Sequence, residues 1–433
     1  MSSKFSISVK DIRAIKEAEV ELNGITVLSG ENGCGKTTLA KLLYGFIKTS
    51  INFDEVLLGY FYEKLSNSNA LLRDFLPKEQ KNFIDSESDD NLFFSSDSIN
   101  SDGYISNIIL PKIKTIRQKY EENEFNLSDT AFSRLLKLYA RRVRKFEAEN
   151  VIDLLNDYES YMQGVQQEIS ELKTSRNLKI FNSKFSEYFG ENTDKWNYSF
   201  KEYDSSLIDK KSKTVIFQKS FSKVIYVDVP TVFDNFRMTI ENTPLYDLRK
   251  ILFKNDNIPG NNSITSIIEE TLKGKISRKE DVYSRIFMYT AKNGQSIPLS
   301  QAASGLKCFA VLERLYANGS LNEDSLLIVD EPEVHLHPKW IVEYARVLVL
   351  IQKYLHTTIL IASHNPDMIS AIKYISEKEK VSDSLTFYVA EEVESEGFGK
   401  YNFKNLGTDI EEIFSSFNIA LDRINQYGAL QNE

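Results

Sequence analysis

The chain has 433 residues, and its 42% hydrophobic and 27% charged residues are close to globular averages, which excludes a wholly disordered protein. Lysine and arginine number 53 and aspartate and glutamate 62, so the formal net charge of −9 argues against a surface coated for nucleic-acid binding, although it leaves a local basic patch open. Two cysteines, Cys34 and Cys308, are too few for a disulfide framework or a cysteine-rich metal site.

The chain also lacks the apolar segments of secreted and membrane-spanning proteins. No apolar run approaches the roughly 18–20 residues that cross a bilayer. Residues 1–10 include polar residues where a signal peptide needs an apolar core. We therefore expect a soluble, cytoplasmic protein with no membrane partner. At roughly 100–200 residues per domain, the length allows two or three structural units.

The N-terminal region is predicted to form strands followed by a helix. Apolar and polar residues alternate at 5–9 and again at 20–22, which is the pattern of half-buried strands. A short apolar strand follows at 25–28 and ends in the glycine-rich stretch 30–35. Beyond it, apolar residues recur at helical spacing: Leu39, Leu42, Leu43 and Phe46.

The middle of the chain has a different character. Asp85 to Asp102 is rich in Ser, Asp and Asn and is predicted to be a loop. Pro111 to Lys179 is dense in Lys, Arg, Glu, Leu and Tyr and contains one glycine, which predicts helices in an antiparallel pair or a small bundle. No apolar heptad pattern is sustained over three or four repeats, so a long coiled-coil arm is not expected.

Strand and helix patterns alternate in the C-terminal half. Strands are predicted at 214–217, 224–229, 281–291, 326–329, 358–362 and 384–389, and helices from near Ser304 and at 340–354. Short apolar strands that alternate with helices indicate an α/β fold with a mainly parallel sheet.

The strongest motif is a phosphate-binding loop. Residues 30–37, GENGCGKT, match the pattern G-x-x-x-x-G-K-[ST] in full, with a predicted strand before and a helix after. Glycines let backbone N–H groups curl around phosphate oxygens, and the helix beginning near Lys36 points its positive end at the anion. We expect Lys36 to reach the β- and γ-phosphates of ATP, and Thr37 to give a hydroxyl to Mg²⁺. The residues expected to contact the nucleotide are Asn32, Gly33, Gly35, Lys36, Thr37 and Thr38.

A second motif places two carboxylates at the end of an apolar strand. Residues 325–329 lead directly into Asp330 and Glu331. Open α/β sheets bind ligands at the carboxyl ends of their strands. We expect Asp330 to hold Mg²⁺, directly or through water, and Glu331 to orient and polarise an attacking water.

Two further segments add candidate site residues. His364 ends another apolar strand, where an imidazole can hydrogen-bond a γ-phosphate, although a structural histidine is the alternative. Ser304 and Gly305 lie where a helix is predicted to begin. A hydroxyl and a glycine backbone at a helix N-terminus form an anion site, and a plain helix cap is the alternative.

Taken in order, the segments GENGCGKTT, SGLK, LLIVDEPEVHLHP and ASHNP resemble an ABC-type ATPase head of the SMC, RecF and OLD-like class. The opening strand followed by ELNGITVLSGENGCGKTTL is similar to that class as well. The phrase DEPEVHLHP at 330–338 is similar to a signature of its bacterial AAA-annotated branch. That branch includes phage-defence ATPases such as those of the PARIS, Septu and AbiL systems. The resemblance covers roughly 1–50 and 280–375 well.

The resemblance implies an ATPase head with a mainly parallel sheet, interrupted by a helical insertion. Residues 1–50 would form the N-terminal part of the head with the phosphate loop. Residues 51–213 would form the mainly helical insertion with the acidic, serine-rich loop. Residues 214–433 would form the C-terminal part with the Ser-Gly signature, the Asp-Glu strand, the switch histidine and the C-terminal tail.

The resemblance also implies an ATP-hydrolysing enzyme that pairs around ATP, as a dimer or a higher homo-oligomer. Ser304 and Gly305 of one copy would contact the ATP held by the other. Glu331 would be the catalytic carboxylate, assisted by Lys36, and His364 the switch histidine. The signature departs from the usual pattern because it reads AASGLK, and no residue stands out as the usual glutamine-loop residue.

Three cellular roles follow as hypotheses. The first is a sensor and scaffold that regulates a separate effector, such as a nuclease, in anti-phage defence. The 69 residues after His364 are few for an appended nuclease domain, and they show no acidic metal-site constellation. The alternatives are a DNA-repair or recombination ATPase that clamps DNA, and a nucleotide-gated assembly module with little turnover. The acidic net charge favours the first role over the second.

Two other features have open interpretations. A basic cluster in the predicted insertion is either a docking surface for DNA, RNA or an acidic protein, or a solvated helix face: Arg134, Lys137, Arg141, Arg142, Arg144 and Lys145. His335 and His337 form an H-x-H pair, but no third His and no Cys lies nearby in sequence. We therefore favour a rigid loop over a metal site at this pair.

Overall fold

A computed structural model of the chain describes residues 5–78, 101–228, 230–234, 243–255, 263–281, 284–393 and 399–414. Residues 85–100 of the predicted acidic loop lie outside these ranges, as does Val229 at the end of a predicted strand. Within the described residues, no helix combines the length and the apolar composition needed to cross a membrane.

The described helices and strands are numbered in chain order. The helices are α1 Lys36–Ile51, α2 Phe53–Asp74, α3 Ser101–Tyr104, α4 Leu110–Glu121, α5 Asp129–Arg142, α6 Val151–Ser175, α7 Leu178–Glu187, α8 Pro244–Leu252, α9 Ser263–Leu272, α10 Ser304–Ala317, α11 Pro338–Leu355 and α12 Pro366–Glu379. The strands are β1 Phe5–Ile12, β2 Ile15–Leu22, β3 Ile25–Ser29, β4 Asn197–Glu202, β5 Ser205–Ser206, β6 Ile208–Asp209, β7 Thr214–Val215, β8 Lys223–Val227, β9 Gly274–Asp281, β10 Ser284–Ala291, β11 Ser296–Pro298, β12 Ser325–Asp330, β13 Thr358–Ser363, β14 Leu385–Glu392 and β15 Tyr401–Gly407. A π-helical turn, Ile105–Ile109, joins α3 to α4.

The chain divides into two compact units. The first comprises Met1–Ile51, Phe185–Ile208 and Phe217–Glu433, and the second comprises Asn52–Lys184 and Asp209–Ile216. Residues 185–208, which the sequence prediction included in the insertion, lie in the first unit because β4 pairs with β1.

The first unit contains a sheet of ten described strands in the order β5-β4-β1-β2-β15-β14-β3-β13-β12-β8. The strands from β14 to β8 pair in parallel, whereas the pairs β1–β2, β1–β4, β4–β5 and β14–β15 are antiparallel. The sheet is therefore mixed, with a parallel centre, and the predicted α/β class with a mainly parallel sheet is confirmed.

The central strands form because they are apolar along their whole length. Every residue of β3 and of β12 is buried, as expected for strands covered on both faces. Alternate residues of β1, beginning at Phe5, are buried, and this half-buried pattern fits its place towards the antiparallel side.

Strand register brings three strand ends to one edge of the sheet. Ser29 at the end of β3 pairs with Ser363 at the end of β13. Asp330 at the end of β12 pairs with Ala362. The phosphate loop, the two carboxylates and His364 therefore start from the same edge.

Helices α10 and α11 share one hydrophobic core with the central strands. Phe309, Leu312 and Leu348 are fully buried in this cluster. The ring of Phe309 meets the rings of Trp340 and Tyr344 edge-on, at 5.8 and 5.4 Å between centroids. Burying a side chain of this size contributes about 1.5–3 kcal/mol, so this cluster supports the strands that carry the site.

The second unit is a small helical bundle. Helix α6 packs against α2, α3 and α4, and α2 packs against α5. The predicted helices between Pro111 and Lys179 are observed, and the bundle is the arrangement they adopt. Side-chain caps begin two of them, since Ser128 accepts from the Ala131 N–H and Asn150 from the Asp153 N–H.

The core of the first unit yields a stability prediction. Replacing Leu348, which is fully buried on α11, by alanine removes apolar contacts and leaves a cavity. We expect Leu348→Ala to lower the free energy of unfolding by about 2–5 kcal/mol. Urea unfolding followed by circular dichroism measures this change. Val342→Ala, on an exposed position of the same helix, should change the free energy by about 0.5 kcal/mol or less. Equal effects of the two substitutions would contradict the assignment of this core.

Candidate functional site

The phosphate loop connects β3 to α1, and its backbone requires glycine. Gly30 and Gly35 have φ values of +149° and +106°. A Cβ at Gly35 would lie 2.6 Å from Cγ1 of Ile15, and one at Gly30 would lie 2.7 Å from the Ala390 Cβ. Side chains are therefore excluded by both conformation and space. The Leu39 N–H donates to the Gly35 carbonyl at 3.0 Å as α1 begins.

Lys36 lies beneath this loop with its ammonium group buried. The side chain is 3% exposed. Nζ donates to the carbonyl oxygens of Gly30 and Glu31, each at 2.9 Å. It also lies 4.0 Å from Oε1 of Glu331. A buried cation that is held by weakly basic carbonyls can exchange them for phosphate oxygens without leaving the loop.

Asp330 is held between two hydroxyl groups. The Thr37 hydroxyl donates to Oδ1 at 3.1 Å, and the Tyr226 hydroxyl donates to Oδ2 at 2.7 Å. Burial raises the pKa of the Asp330 carboxyl, and the two hydrogen bonds oppose that rise. Sequence reasoning did not select Tyr226. In the sequence it is only a tyrosine within an apolar strand. The pairing of β8 with β12 brings its hydroxyl to Asp330.

Thr37 and Asp330 together suit a magnesium ion. A hydroxyl and a carboxylate are the hard oxygen donors that Mg²⁺ prefers. Among the described residues, no group of three or more His, Cys, Asp or Glu side chains could hold a metal by itself. Mg²⁺ commonly takes one or two protein oxygens and completes its shell with phosphates and water, so this donor pair fits an ion that arrives with a nucleotide.

Glu331 extends from the end of β12 with an unusual backbone. Its φ of +48° lies in the left-handed region, which is uncommon for a residue other than glycine. The Glu331 N–H donates to the Ala362 carbonyl at 2.8 Å, which ties this turn to β13. The carboxylate is one-third exposed, and Oε1 lies 3.6 Å from Nδ1 of His364. This backbone therefore turns the carboxylate towards Lys36 and His364.

His364 contacts a second carboxylate, that of Glu333. The His364 N–H and the Ser363 hydroxyl donate to Oε1 of Glu333 at 2.9 and 2.8 Å. Nδ1 of His364 lies 3.3 Å from the same oxygen. Sequence reasoning treated Glu333 only as part of a signature phrase. A glutamate in an otherwise apolar turn was the available signal.

Ser304 and Gly305 begin α10 and contact the loop that follows β12. Ser304 is exposed, and its hydroxyl donates to the His335 carbonyl at 3.4 Å. Gly305 is buried, and a Cβ there would lie 2.9 Å from Cε3 of Trp340. The structure thus brings together Lys36, Thr37, Asp330, Glu331 and His364. Ser304 and Gly305 instead contact His335, further along the loop after β12, and Trp340 on α11.

The remaining predicted residues have different environments. Asn32 and Gly33 are exposed in the loop, and Thr38 is buried in the first turn of α1. Nδ1 of His337 accepts from the Lys339 N–H at 3.2 Å and so caps α11. His335 contributes its carbonyl to Ser304, as described above.

A cavity of about 540 Å³ opens beside the phosphate loop. Small-molecule sites commonly have volumes of about 300–1,000 Å³. It is lined by Ser29, Gly30, Glu31, Asn32, His364, Val389, Ala390, Glu391, Glu392, Tyr401 and Glu412. The cavity therefore combines the loop, the end of β14, the start of β15 and the histidine that follows β13.

The profile of a family described as AAA ATPase domain matches residues 5–369. A search of curated proteins found no match.

Solved structures similar to this chain include heads of SMC proteins. The SMC head domain from Thermotoga maritima is 10% identical, with 94% of this chain and 99% of that chain covered and a TM-score of 0.36. An SMC head bound to the C-terminal winged-helix domain of ScpA is 9% identical, with 95% and 98% covered and a TM-score of 0.39. The Pyrococcus furiosus SMC head with an extended coiled coil, bound to the C-terminal domain of ScpA, is 10% identical, with 97% and 98% covered and a TM-score of 0.33.

The environment of Asp330 predicts a trade-off between stability and function. Burial raises the folded pKa of this carboxyl above its unfolded value. Its favourable contribution to folding is therefore present below the unfolded pKa and is lost as the pH rises through the folded pKa. At about pH 7 the buried charge is a cost, so Asp330→Asn should raise the thermal unfolding midpoint in metal-free buffer.

The pH dependence provides the check on this prediction. The advantage of Asp330→Asn over wild type should shrink as the pH falls towards about 4, because the wild-type carboxyl then takes up a proton. Differential scanning calorimetry across this range measures both midpoints. Asp324→Asn, which alters an exposed carboxyl in the turn before β12, is the matched control and should have no such effect. A lower midpoint for Asp330→Asn at about pH 7 would contradict the assignment.

Proposed function

The chain belongs to the AAA ATPase domain family, and on that premise we propose that it binds ATP with Mg²⁺, hydrolyses it and pairs with a second copy across the nucleotide. One observation carries the proposal. The ends of β3, β12 and β13 place Lys36, the Thr37–Asp330 pair, Glu331 and His364 at one edge of the sheet.

Lys36 and the loop backbone bind the phosphates. The ammonium group exchanges its hydrogen bonds to the Gly30 and Glu31 carbonyls for β- and γ-phosphate oxygens. The positive end of α1 favours the same anion. Asn32, Gly33, Gly35 and Thr38 complete the loop. The hydroxyl of Thr37 and the carboxylate of Asp330 would hold Mg²⁺, which when bound would supply positive charge beside the phosphates.

Glu331 positions the water that attacks the γ-phosphorus. Its carboxylate is one-third exposed and faces both Lys36 and His364, so a water between it and the phosphate remains accessible. The water oxygen bonds to phosphorus, the bond to the β-phosphate oxygen breaks, and ADP and phosphate leave. His364 lines the cavity beside the loop and contacts the γ-phosphate.

Ser304 and Gly305 support pairing with a second copy. The exposed hydroxyl of Ser304 begins α10, whose N-terminus favours an anion. Within their own chain these two residues lie against His335 and Trp340. The resemblance of the SGLK segment implies that they contact the ATP of the partner copy. Pairing as a dimer or a higher homo-oligomer then depends on the γ-phosphate. Hydrolysis removes that contact, and the paired copies separate.

Lys36→Ala tests the nucleotide site. Removing the ammonium group takes away a charge-assisted contact to the phosphates, so we expect ATP binding to weaken by about tenfold or more and hydrolysis to be lost. Fluorescent-nucleotide titration and a phosphate-release assay measure these effects. Lys41→Ala, on the same helix, serves as the control and should behave as wild type. Wild-type hydrolysis by Lys36→Ala would refute the assignment.

Glu331→Gln tests the pairing. The amide should block hydrolysis and keep ATP bound, so the mass in solution should double with ATP and Mg²⁺ but not with ADP. Light scattering measures the mass of both proteins in each state. Adding Ser304→Arg, which places a bulky cation at the exposed start of α10, should abolish the doubling and leave ATP binding intact. If nucleotide does not change the solution mass of Glu331→Gln, the proposed ATP-driven pairing is wrong. Equal ATP-driven assembly of wild type would favour the assembly module with little turnover.

For the cellular role, we propose a sensor and scaffold that regulates a separate effector, such as a nuclease, in anti-phage defence. Its support is the resemblance of residues 330–338 to the signature of defence ATPases. The test is phage plating on cells that express the chain together with its genomic neighbours. Protection that requires Lys36 supports this role, and equal plating with Lys36→Ala counts against it.

A DNA-clamping ATPase is the second candidate, and one feature of the helical unit favours it. Arg134, Lys137 and Arg141 lie on an exposed face of α5, opposite the buried Leu135 and Tyr139. Their spacing of three and four residues aligns three cations along one helix face. Two other members of the basic cluster already form ion pairs, Arg142 with Asp74 and Arg144 with Asp157. This role requires that DNA stimulates ATP hydrolysis and that the stimulation falls steeply as the salt concentration rises. The stimulation should be lost when Arg134, Lys137 and Arg141 are all replaced by glutamine.

A further inference from the structure

Glu333 is a buried carboxylate beside the candidate site. Its side chain is 3% exposed. Oε1 accepts from the Ser363 hydroxyl and the His364 N–H, which fixes the turn between β13 and α12. Among the described residues, its other oxygen, Oε2, is buried and has no hydrogen-bond partner. Burying a carboxylate here costs desolvation free energy. A neutral acceptor could hold the turn without that cost, so the turn alone does not explain why a carboxylate is present.

Two carboxylates face one nitrogen of His364. Nδ1 lies 3.3 Å from Oε1 of Glu333 and 3.6 Å from Oε1 of Glu331. Within the described residues, Nδ1 is buried and makes no hydrogen bond with acceptable geometry in this arrangement. A small rotation of the ring would give the Nδ1–H to either carboxylate, so the two compete for it.

We propose that Glu333 is a positioning residue, which takes the Nδ1–H of His364 and thereby keeps Nε2 directed to the nucleotide and Glu331 free to hold water. Glu333 suits this role because it is buried and anchored by two donors, whereas Glu331 is one-third exposed. The hydrogen bond made by one ring nitrogen of a histidine sets the tautomer and the direction of the other. The expected effect on kcat rests on the proposed ATP hydrolysis. The contacts of Glu333 and Glu331 with His364 do not depend on it.

The kinetic test uses Glu333→Gln. The amide oxygen can still accept from Ser363 and the His364 N–H, so the turn should fold, but the negative charge is lost. We expect kcat to fall by about 10–100-fold and the ATP dissociation constant to change by less than about threefold. Glu343→Gln, on a partly exposed position of α11, is the matched control. Ser363→Ala removes one anchor and keeps the charge, so it should retain most of the activity.

A double-mutant cycle separates positioning from a general structural effect. If Glu333 acts through His364, adding Glu333→Gln to His364→Ala should change kcat by less than about twofold. Glu333→Asp keeps the charge but draws it back by one methylene, and its kcat should lie between those of wild type and Glu333→Gln. Losses from Glu333→Gln and His364→Ala that multiply in the double variant would overturn the proposal.

A second readout needs no turnover. The chain has four histidines, so long-range proton–nitrogen spectra of a ¹⁵N-histidine sample should resolve His364, assigned with His364→Gln. In nucleotide-free Glu331→Gln, where Glu333 is the carboxylate left beside Nδ1, we expect the Nδ1-protonated tautomer to persist as in wild type. Adding Glu333→Gln to this variant should shift the ring away from that tautomer, and an unchanged tautomer in the double variant would reject the role of Glu333. Absence of hydrolysis by wild type would instead reject the proposed function, while the spectra would still decide the role of Glu333.

Discussion

The register between β3, β13 and β12 is the constraint on which the rest of the site depends. Thr37 and Asp330 are 293 residues apart in sequence, yet their side chains are hydrogen-bonded. Parallel strands that end at the same edge are what bring them together. A slip by one residue would turn every side chain of a strand to the other face. It would also separate Asp330 from Thr37 and Tyr226, whose hydrogen bonds to it depend on this register.

Three charged side chains are buried at this edge of the sheet. Lys36, Asp330 and Glu333 are each buried, and each is held by neutral donors or acceptors instead of a close ion pair. Their hydrogen bonds to neutral groups hold the turns in place. Because these hydrogen bonds do not neutralise the charges, the charges can still interact with a charged ligand. Stability lost to desolvation at these positions is offset by the apolar cluster around α10 and α11.

The sequence predicted the parts of the fold that depend on local pattern. The apolar runs of β3, β12 and β13 have observed counterparts within a few residues of their predicted positions. The stretch 111–179 is predicted to be helical without bounds for each helix, and it contains most of α4, all of α5 and α6, and the start of α7. The assignment of 185–208 to the insertion differs from the observed units because the pairing of β4 with β1 joins segments far apart in sequence. Alternation along a strand shows that it has a buried face but does not identify its neighbour.

For the candidate site, the sequence by itself determined which residue types end the central strands: glycines and Lys36 after β3, Asp330 and Glu331 after β12, and His364 after β13. Only the tertiary structure decided their partners. Tyr226 reaches Asp330 because β8 lies beside β12, and Glu333 reaches His364 because the loop after β12 folds against the end of β13. The physical reason is that hydrogen bonds act over about 3 Å in space, whereas sequence patterns report only the burial and period of one segment at a time.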